Sequence, residues 1–283
     1  MTDHPALAPG HAALVTGGAS GIGLAAARFF AGRGMRVVVA DLPGPALDEA
    51  ARLVAQAAPG GDAMVRAVPT DVADRAAVDA LREAATAAFG PPSVVMANAG
   101  IEAGGRLSSE PEVWRRILDV NLWGVINVVQ SLLPTMIEAG GPGAVVVTGS
   151  KQGITTPPGN TPYNVSKAGV KVVAEALAHE LRERGAPITA HLLIPGFVYT
   201  GLTRARGASE KPAGAWTPEE TVAAMAAGLA AGDFYILCPD NETTREQDEK
   251  RILWAAGDIV RNRPALSRWH PDHKDAFAAH MKG

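Results

Sequence analysis

The chain has 283 residues and a formal net charge of −3, and nearly half of its residues are apolar, as in ordinary globular domains. The length allows one large α/β domain or two small ones, and the mildly acidic balance gives no electrostatic basis for binding nucleic acid or an anionic membrane. The single cysteine, Cys238, excludes an internal disulfide. The N-terminus lacks a signal-peptide pattern and no apolar run approaches ~20 residues, so we expect a cytoplasmic protein that does not span a membrane.

A glycine-rich turn follows the first predicted strand. The strand is a short apolar run over residues 12–16, and Gly17-Gly-Ala-Ser-Gly-Ile-Gly23 separates it from a helical stretch over 24–30. Strand, glycine turn and helix together predict a cradle for a dinucleotide pyrophosphate, because glycines let the backbone approach the phosphates and the helix N-terminus supplies N–H groups. The spacing differs from G-x-G-x-x-G, so a merely tight turn is the alternative.

An acidic residue ends the second predicted strand, over residues 36–41. Asp41 stands about 20 residues past the glycines, where dinucleotide-binding folds place a carboxylate for the ribose hydroxyls. A carboxylate there would repel a 2′-phosphate, and neither the glycine turn nor residues 42–45 contain a lysine or arginine. We therefore expect NAD rather than NADP, with turn capping by Asp41 as the alternative.

The chain then continues as alternating helices and strands. Strands are predicted over 63–68, 93–97, 144–148, 188–194 and 234–238, and helices over 45–57, 74–88, 111–139, 161–184 and 217–231. The helix over 111–139 is expected to break near Pro134 and Gly140. Apolar strands that alternate with helices indicate an α/β fold with a doubly wound, seven-stranded parallel sheet, whose binding site lies beyond the carboxyl ends of the strands. The residues at those ends are Asp41, Asp71, Asn98, Ser150 and Pro195.

Tyr163 and Lys167 are four residues apart in a helix that Thr161 is predicted to cap, with Pro162 in the first helical position. They therefore share one helix face. A phenol normally loses its proton near pH ~10, and a nearby ammonium lowers that pKa. The pair is a candidate for proton transfer, and an ordinary solvated helix face is the alternative.

Seven motifs in chain order resemble those of the short-chain dehydrogenase/reductase family, in its classical single-domain form. The motifs are Thr16-Gly-Gly-Ala-Ser-Gly-Ile-Gly23, Asp71-Val72, Asn98-Ala-Gly100, Asn121, Ser150, Tyr163-Asn-Val-Ser-Lys167 and Pro195-Gly196, within residues 10–240. The resemblance implies one Rossmann-type catalytic domain over 1–283, which interconverts a secondary alcohol and a ketone by hydride transfer to or from NAD. It also implies a homotetramer or homodimer.

The resemblance implies roles for single residues as well. Tyr163 would be the acid/base, Lys167 would lower its pKa and hold the nicotinamide ribose, and Ser150 would orient the substrate oxygen. Asn121 would anchor a water that links Lys167 to solvent. Further cofactor contacts would come from Gly17, Ser20, Gly21, Ile22, Gly23, Asp41, Leu42, Asp71, Val72, Asn98, Ala99, Gly100, Pro195, Gly196, Val198 and Thr200. The alternatives are a turn residue at the strand end for Ser150 and a plain backbone hydrogen bond for Asn121.

A long loop, residues 196–216, is predicted after the sixth strand. Loops of this length are usually lids or binding loops, and in the family this region covers the substrate. Apolar walls are expected from Phe197, Tyr199, Leu202 and Trp216, and further substrate contacts from Ser150, Gln152 and Tyr163. We expect a medium or bulky apolar substrate. Glu102 would face the same region and meet a cationic or hydroxyl group, with a solvated loop acid as the alternative.

The tail, residues 241–283, continues past the usual end of the family. Helical spacing of apolar residues predicts one amphipathic helix, packed on the domain or on a neighbouring subunit, and a short helix is predicted over 272–281. The apolar residues are Ile252, Leu253, Ala256, Ile259 and Val260. The tail either closes a pocket or only packs on the surface. His270 and His273 flank a proline in a polar segment, and we expect no metal site there.

Two functions of other classes are alternatives to the dehydrogenase. One is a catalytically silent NAD(H)-binding sensor, which the intact Ser150, Tyr163 and Lys167 disfavour because a sensor need not retain them. The other is an NAD-using enzyme without net redox change, such as an epimerase or dehydratase. A single short domain with no added substrate domain disfavours the second.

Overall fold

Seven parallel strands form one central sheet in the computed structural model, which describes residues 3–201 and 210–282. The strands are β1 (Ala12–Thr16), β2 (Arg36–Asp41), β3 (Val65–Pro69), β4 (Val94–Ala97), β5 (Gly143–Thr148), β6 (Ile188–Ile194) and β7 (Tyr235–Leu237). Their order is β3-β2-β1-β4-β5-β6-β7, so the strand order reverses between β1 and β4. Ligands of such sheets bind at that reversal, beyond the carboxyl ends of the strands.

The central strands are buried at every position in β1, β4 and β5, as strands covered on both faces require. Parallel pairing aligns their carboxyl ends. Thr16 pairs with Ala40, and Ala97 pairs with Val147. The residues that follow these strands therefore meet at one edge of the sheet.

Helices cover both faces of the sheet. They are α1 (Gly21–Gly32), α2 (Pro45–Ala57), α3 (Arg75–Phe89), α4 (Pro111–Leu118), α5 (Gly124–Ala139), α6 (Gln152–Thr155), α7 (Thr161–Glu183), α8 (Pro218–Ala231), α9 (Arg245–Val260) and α10 (Lys274–Lys282). One apolar cluster joins α1, α2 and α8 to one face, and a second joins α3, α5 and α7 to the other. Alternate strand residues supply each cluster, which is the period-two pattern of a pleated strand.

The helix predicted over 111–139 is continuous through Pro134, so the predicted break there is wrong. Proline has no N–H to donate to the carbonyl of Gln130, four residues earlier. Both Pro134 and Gln130 lie on the exposed face of the helix, where water can donate to that carbonyl instead. The helix does end at Gly140, which adopts φ +71°. A π-helical segment, Asp119–Trp123, joins α4 to α5, and such segments are frequent at functional sites.

The same stretch, Pro111–Ala139, is the one helix of the described residues that is long and apolar enough to cross a membrane, judged by length and composition. We expected none from the sequence, because the stretch contains no unbroken apolar run of about 20 residues, although its average hydropathy is high. In the fold, α5 packs on the sheet, and 44% of the apolar window is buried.

The start of α7 differs from its prediction by one residue. Asn160, not Thr161, is the capping residue, and its side chain contacts Glu102 and Gln152 rather than the helix. By contrast, α8 begins with the predicted Thr217 cap, which forms a capping box with Glu220.

The tail forms the predicted helix, but the predicted apolar face is not buried. In α9 the buried side chains are Asp248 and Trp254, whereas Leu253, Ile259 and Val260 are exposed. Trp254 packs within the tail, against Phe277 and over the guanidinium of Arg263. Of the predicted apolar residues, Ile252 is half-buried beside α6, and the others are exposed because the indole fills the space beneath the helix. The predicted short helix follows as α10, preceded by a 3₁₀ turn over Pro271–His273.

Candidate active site

The glycine turn between β1 and α1 is closely packed against the end of β4. Gly17 has φ +66°, and a Cβ there would lie 2.7 Å from the Ala99 Cα. A Cβ on Gly23 would lie 2.1 Å from the Gly17 carbonyl oxygen. Only glycine fits these positions. α1 begins at Gly21, three residues earlier than predicted, so the first-turn N–H groups belong to the glycine segment itself.

Asp41 fixes this turn from the neighbouring strand. Its carboxylate accepts hydrogen bonds from the Ala19 N–H and from the Leu42 N–H, both at 2.8 Å. Asp41 therefore does cap the glycine turn, as the alternative interpretation predicted. Since a carboxylate has about four acceptor sites, Asp41, which also lines the cavity described below, keeps capacity for the ribose hydroxyls.

Asn98 joins the ends of three strands. Its Nδ2 donates to the carbonyls of Thr16 at 3.1 Å and Gly17 at 3.3 Å, and its Oδ1 accepts from the Thr148 hydroxyl at 3.1 Å. This side chain spans β1, β4 and β5 and holds the floor of the crevice. On the other side, the Asn127 amide donates to the Val72 carbonyl at 2.9 Å and fixes the segment after β3.

Tyr163, Ser150 and Lys167 meet at the carboxyl end of β5. The Ser150 side chain lies close enough to the Tyr163 phenol to lower its pKa, and both residues line the same cavity. The Lys167 ammonium is buried, donates to the Thr148 carbonyl at 2.8 Å and lies 5.8 Å from the centre of the Tyr163 ring. The alternative of a solvated helix face is excluded, because the helix turns this face into the sheet edge.

Burial controls the protonation of this pair. Burial raises the pKa of the Tyr163 phenol, and the hydrogen bond from Ser150 opposes that rise. Burial also lowers the pKa of Lys167 to about 8. The Lys167 ammonium donates to the Thr148 carbonyl in this arrangement, and the lowering of the Tyr163 pKa by Lys167 stays a prediction. The phenol is thus held as a proton donor near neutral pH.

Asn121 lies in the π-helical segment, fully buried. Its Oδ1 accepts from the Ile101 N–H at 2.7 Å, and its Nδ2 donates to the Ile101 carbonyl at 2.9 Å and the Ser166 hydroxyl at 3.1 Å. Both amide atoms therefore bind the polypeptide, as the backbone-bonding alternative foresaw. A Cβ on Gly100 would lie 3.4 Å from the Asn121 Oδ1 and 3.6 Å from the Lys167 Nζ, so Asn121 holds the strip of backbone that runs past Lys167.

A cavity of about 550 Å³ at this sheet edge brings most of the predicted site residues together. Those that line it are Gly17, Ser20, Gly21, Ile22, Asp41, Leu42, Asp71, Val72, Asn98, Ala99, Gly100, Ser150, Gln152, Tyr163, Lys167, Pro195, Gly196, Phe197, Val198 and Thr200. Gly23 and Asn121 lie behind the lining. Leu202 falls outside the described residues, as does much of the predicted loop over 196–216.

The substrate end of the cavity is less apolar than predicted. Phe197 lines it, but Trp216 does not, because its ring packs on the core beneath α8. Instead, the cavity wall includes Glu102 and Gln152. Both accept hydrogen bonds from the Asn160 amide, Gln152 at 3.4 Å.

Two charged residues of the cavity wall have no counterpart in the sequence analysis. Lys151 directly follows Ser150, and Asp240 follows β7. The Lys151 Nζ lies 3.2 Å from Asp240 Oδ2 and 2.5 Å from Asp248 Oδ2, which belongs to α9. The only local signal was the position of Lys151 beside Ser150. Its partners lie in the tail and just before it, where no motif marks them.

The residues present fit a dinucleotide. The glycine turn has space for no side chain where the phosphates would pass, the first N–H groups of α1 face the same place, and such N–H groups have no partner within a helix. The crevice continues from Asp41 to Tyr163 without interruption in its lining.

Comparison with known proteins gives a consistent result. Residues 11–211 match the family model described as short chain dehydrogenase. The 1-deoxy-11-beta-hydroxypentalenate dehydrogenase of Streptomyces avermitilis is 34% identical over 247 residues, which cover 86% of this chain and 89% of that protein.

Two solved structures illustrate the likeness. A short chain dehydrogenase/reductase from Burkholderia phymatum in complex with NAD has a TM-score of 0.82 at 30% identity, covering 93% of this chain and 97% of that chain. A variant actinorhodin polyketide ketoreductase with NADPH has a TM-score of 0.71 at 28% identity, covering 80% and 94%. One of these structures holds NAD and the other NADPH, so both nucleotides occur among the proteins that this chain resembles.

Proposed function

Because the chain belongs to the short-chain dehydrogenase family, we propose that it is an NAD-dependent oxidoreductase that interconverts a secondary alcohol and a ketone. The observation that carries the proposal is that Ser150, Tyr163 and Lys167 line one cavity together with the glycine turn. This arrangement offers a proton donor and an orienting hydroxyl to one substrate oxygen, beside a dinucleotide cradle.

Tyr163 and Ser150 have different roles in the reaction. In ketone reduction, the Tyr163 phenol gives its proton to the substrate oxygen, while Ser150 donates a hydrogen bond that orients that oxygen. The nicotinamide, when bound, supplies or accepts the hydride. In alcohol oxidation the phenolate of Tyr163 takes the hydroxyl proton, and the positive charges of Lys167 and of the oxidised nicotinamide favour that phenolate.

Asp41 supports NAD over NADP. Its carboxylate lines the cavity at the end of β2 and is anchored by two backbone N–H groups, so it cannot easily turn away from a 2′-phosphate. Neither the glycine turn nor residues 42–45 carry a cation that would bind such a phosphate.

The lining of the substrate end of the cavity supports a medium or bulky alcohol or ketone. The phenyl ring of Phe197 supplies an apolar wall, and Gln152 and Glu102 supply acceptors. We therefore propose a largely apolar substrate that carries a hydrogen-bond donor besides its reacting oxygen.

A homotetramer or homodimer is part of the proposal. The α7 residues Val170, Ala174 and Leu177 lie in the core of the chain itself. Trp123 in the π-helical segment and Val172 on α7 are exposed apolar side chains, and they support assembly. Light scattering during gel filtration measures the oligomeric state.

We propose the cytoplasm as the compartment, since the one cysteine is a buried thiol.

The test follows absorbance at the NADH band with purified protein and a panel of secondary alcohols and ketones that vary in size and in donor groups. The expected outcome is turnover with NADH or NAD⁺ and much weaker turnover with the phosphorylated nucleotides. Nucleotide binding without turnover on the whole panel would support a sensor, and conversion of a substrate without net change in NADH would support a non-redox enzyme.

A further inference from the structure

The helix α9 of the tail reaches the catalytic edge through one buried carboxylate. Asp248 lies on α9, and its Oδ2 is 2.5 Å from the Nζ of Lys151, the residue after Ser150. Both side chains are largely buried, with exposed fractions of 5% and 17%. Removing one partner of a buried ion pair strongly destabilises the folded state, because the other charge stays buried without a partner.

Asp240 joins this pair to the other side of the cavity. Its Oδ2 lies 3.2 Å from Lys151 Nζ and accepts from the Phe197 N–H at 3.3 Å. The Lys151 N–H in turn donates to the Pro195 carbonyl at 3.2 Å. The Ser150 turn and the Pro195–Phe197 turn are thus tied together through one ammonium and two carboxylates.

The cluster of Lys151, Asp240 and Asp248 is closely packed against Gly196. A Cβ on Gly196 would lie 2.6 Å from Asp240 Oδ2 and 2.7 Å from Lys151 Nζ. The two carboxylates are not equivalent. Burial raises the pKa of Asp248, whereas for Asp240 the charge and hydrogen bond of Lys151 and further N–H donors outweigh burial and lower the pKa.

The helix α9 also packs beside α6, where Arg251 and Ile252 line a small cavity with Ile154 and Thr155. The other buried side chain of α9, Trp254, donates to Ser267 at 2.8 Å and contacts Phe277, all within the tail. Leu253, Ile259 and Val260 are exposed. Among the described residues, the ion pair with Lys151 is the polar link from α9 to the turn that carries Ser150.

We propose that Asp248 is a positioning residue of the active site: by holding Lys151 together with Asp240, it fixes the turns that carry Ser150 and Phe197. The tail is then a working part of the site wall rather than surface packing. The kinetic consequences rest on the proposed function, whereas the effect on the two turns does not.

The test compares Asp248→Asn with Glu249→Gln, the adjacent residue of α9, whose exposed carboxylate pairs with Arg245. In Asp248→Asn the turnover number for ketone reduction is expected to fall about 10- to 100-fold, as for other small misplacements of catalytic groups. The Kd for NADH, measured by fluorescence titration, is expected to rise less than the turnover number falls, because the glycine turn and Asp41 do not touch the cluster and only the Pro195–Gly196 contacts do. Glu249→Gln is expected to behave as wild type, and Asp248→Glu to recover part of the lost turnover.

Hydrogen exchange gives a readout that needs no substrate. Asp248→Asn is expected to speed exchange of the Lys151 and Phe197 amides, which are the bonded N–H groups of the two turns, while amides of β1 exchange as in wild type. If wild type shows no turnover on any substrate, the proposed function fails but this exchange test still decides the inference. Equal turnover and equal exchange in Asp248→Asn and Glu249→Gln would overturn it, as would a uniform rise of exchange throughout the chain.

Discussion

The two ends of the cavity are built in different ways. At the cofactor end, main-chain groups do most of the work: the glycine turn, the first N–H groups of α1 and the backbone beside Ala99 approach one another with no room for side chains. At the substrate end, side chains from distant segments meet, such as Lys151 with Asp240, which are 89 residues apart. Tyr163 stands between the two ends.

This difference teaches where substitutions should be tolerated. A main-chain cradle fails when a single Cβ is added, whatever the chemistry of the new residue, because the space is filled by backbone. A side-chain wall changes its shape or charge when a residue is replaced and leaves the cradle intact. Substitutions at the two ends should therefore separate cofactor binding from turnover.

The largest effect is expected at the junction of the two ends. Tyr163→Phe removes the phenolic hydroxyl beside Ser150 and is expected to lower turnover by about 10²- to 10⁴-fold, the usual contribution of a general acid or base, while NADH still binds. The control is Tyr235→Phe, which deletes the exposed phenol of β7 that is bonded to Glu175. Turnover retained in Tyr163→Phe would remove this residue from the mechanism.

A second substitution tests the cofactor end by itself. Gly23→Ala places a Cβ 2.1 Å from the Gly17 carbonyl oxygen, and overpacking of this kind costs about 1–3 kcal/mol or more. We expect a lower Tm and NADH binding weakened at least about tenfold. The matched control is Gly32→Ala at the end of the same helix, where the nearest atom to the new Cβ, the Ala57 oxygen, is 3.8 Å away. Normal NADH affinity in Gly23→Ala would contradict a main-chain cradle.

The third test concerns the side chain that the cofactor end does use. Asp41→Asn removes the negative charge but keeps an oxygen that can accept from Ala19 or Leu42. The ratio of the Kd for NADPH to that for NADH, obtained by fluorescence titration, is expected to fall by about tenfold or more, since juxtaposed like charges cost several kcal/mol. Asp62→Asn, on the exposed 3₁₀ turn before β3, is the control. An unchanged ratio would mean that Asp41 serves the turn only.

The smallest effect comes from pH. Burial lowers the pKa of Lys167 to about 8. The side chain is therefore protonated below that pH and loses its charge above it, at a lower pH than an exposed lysine does. If the ammonium holds the nicotinamide ribose, the Kd for NADH rises above pH 8, by at most about tenfold per pH unit for one proton. Titrations from pH 6.5 to 9.5 measure this, with Lys167→Met expected to bind weakly at every pH. A flat wild-type profile would show that the charge of Lys167 does not contribute.

Much of the cofactor end follows from the sequence because its signals are local. The bounds of β1, β2 and β6 agree with the predicted strands. In a doubly wound fold, a short and mostly apolar run that ends at glycine or proline is typical of a buried parallel strand. The glycines of the turn report directly on positions where backbone fills the space. Parallel strand alignment then brings Asp41, Asn98 and Ser150 to one edge, as predicted from the alternation of strands and helices.

Other features were decided by the tertiary structure. The direction of the Tyr163 pKa shift depends on burial and on the neighbouring Ser150, neither of which the four-residue spacing of Tyr163 and Lys167 reveals. The cluster of Lys151, Asp240 and Asp248 depends on how two turns and the tail approach each other, and an ion pair between distant residues leaves no periodic trace in the chain. Periodicity also misled in α9, where a buried indole from the same helix took the place of the predicted apolar face. The sequence by itself thus determined the sheet and the cradle, because backbone geometry is encoded residue by residue, whereas the substrate wall arises only where remote side chains meet.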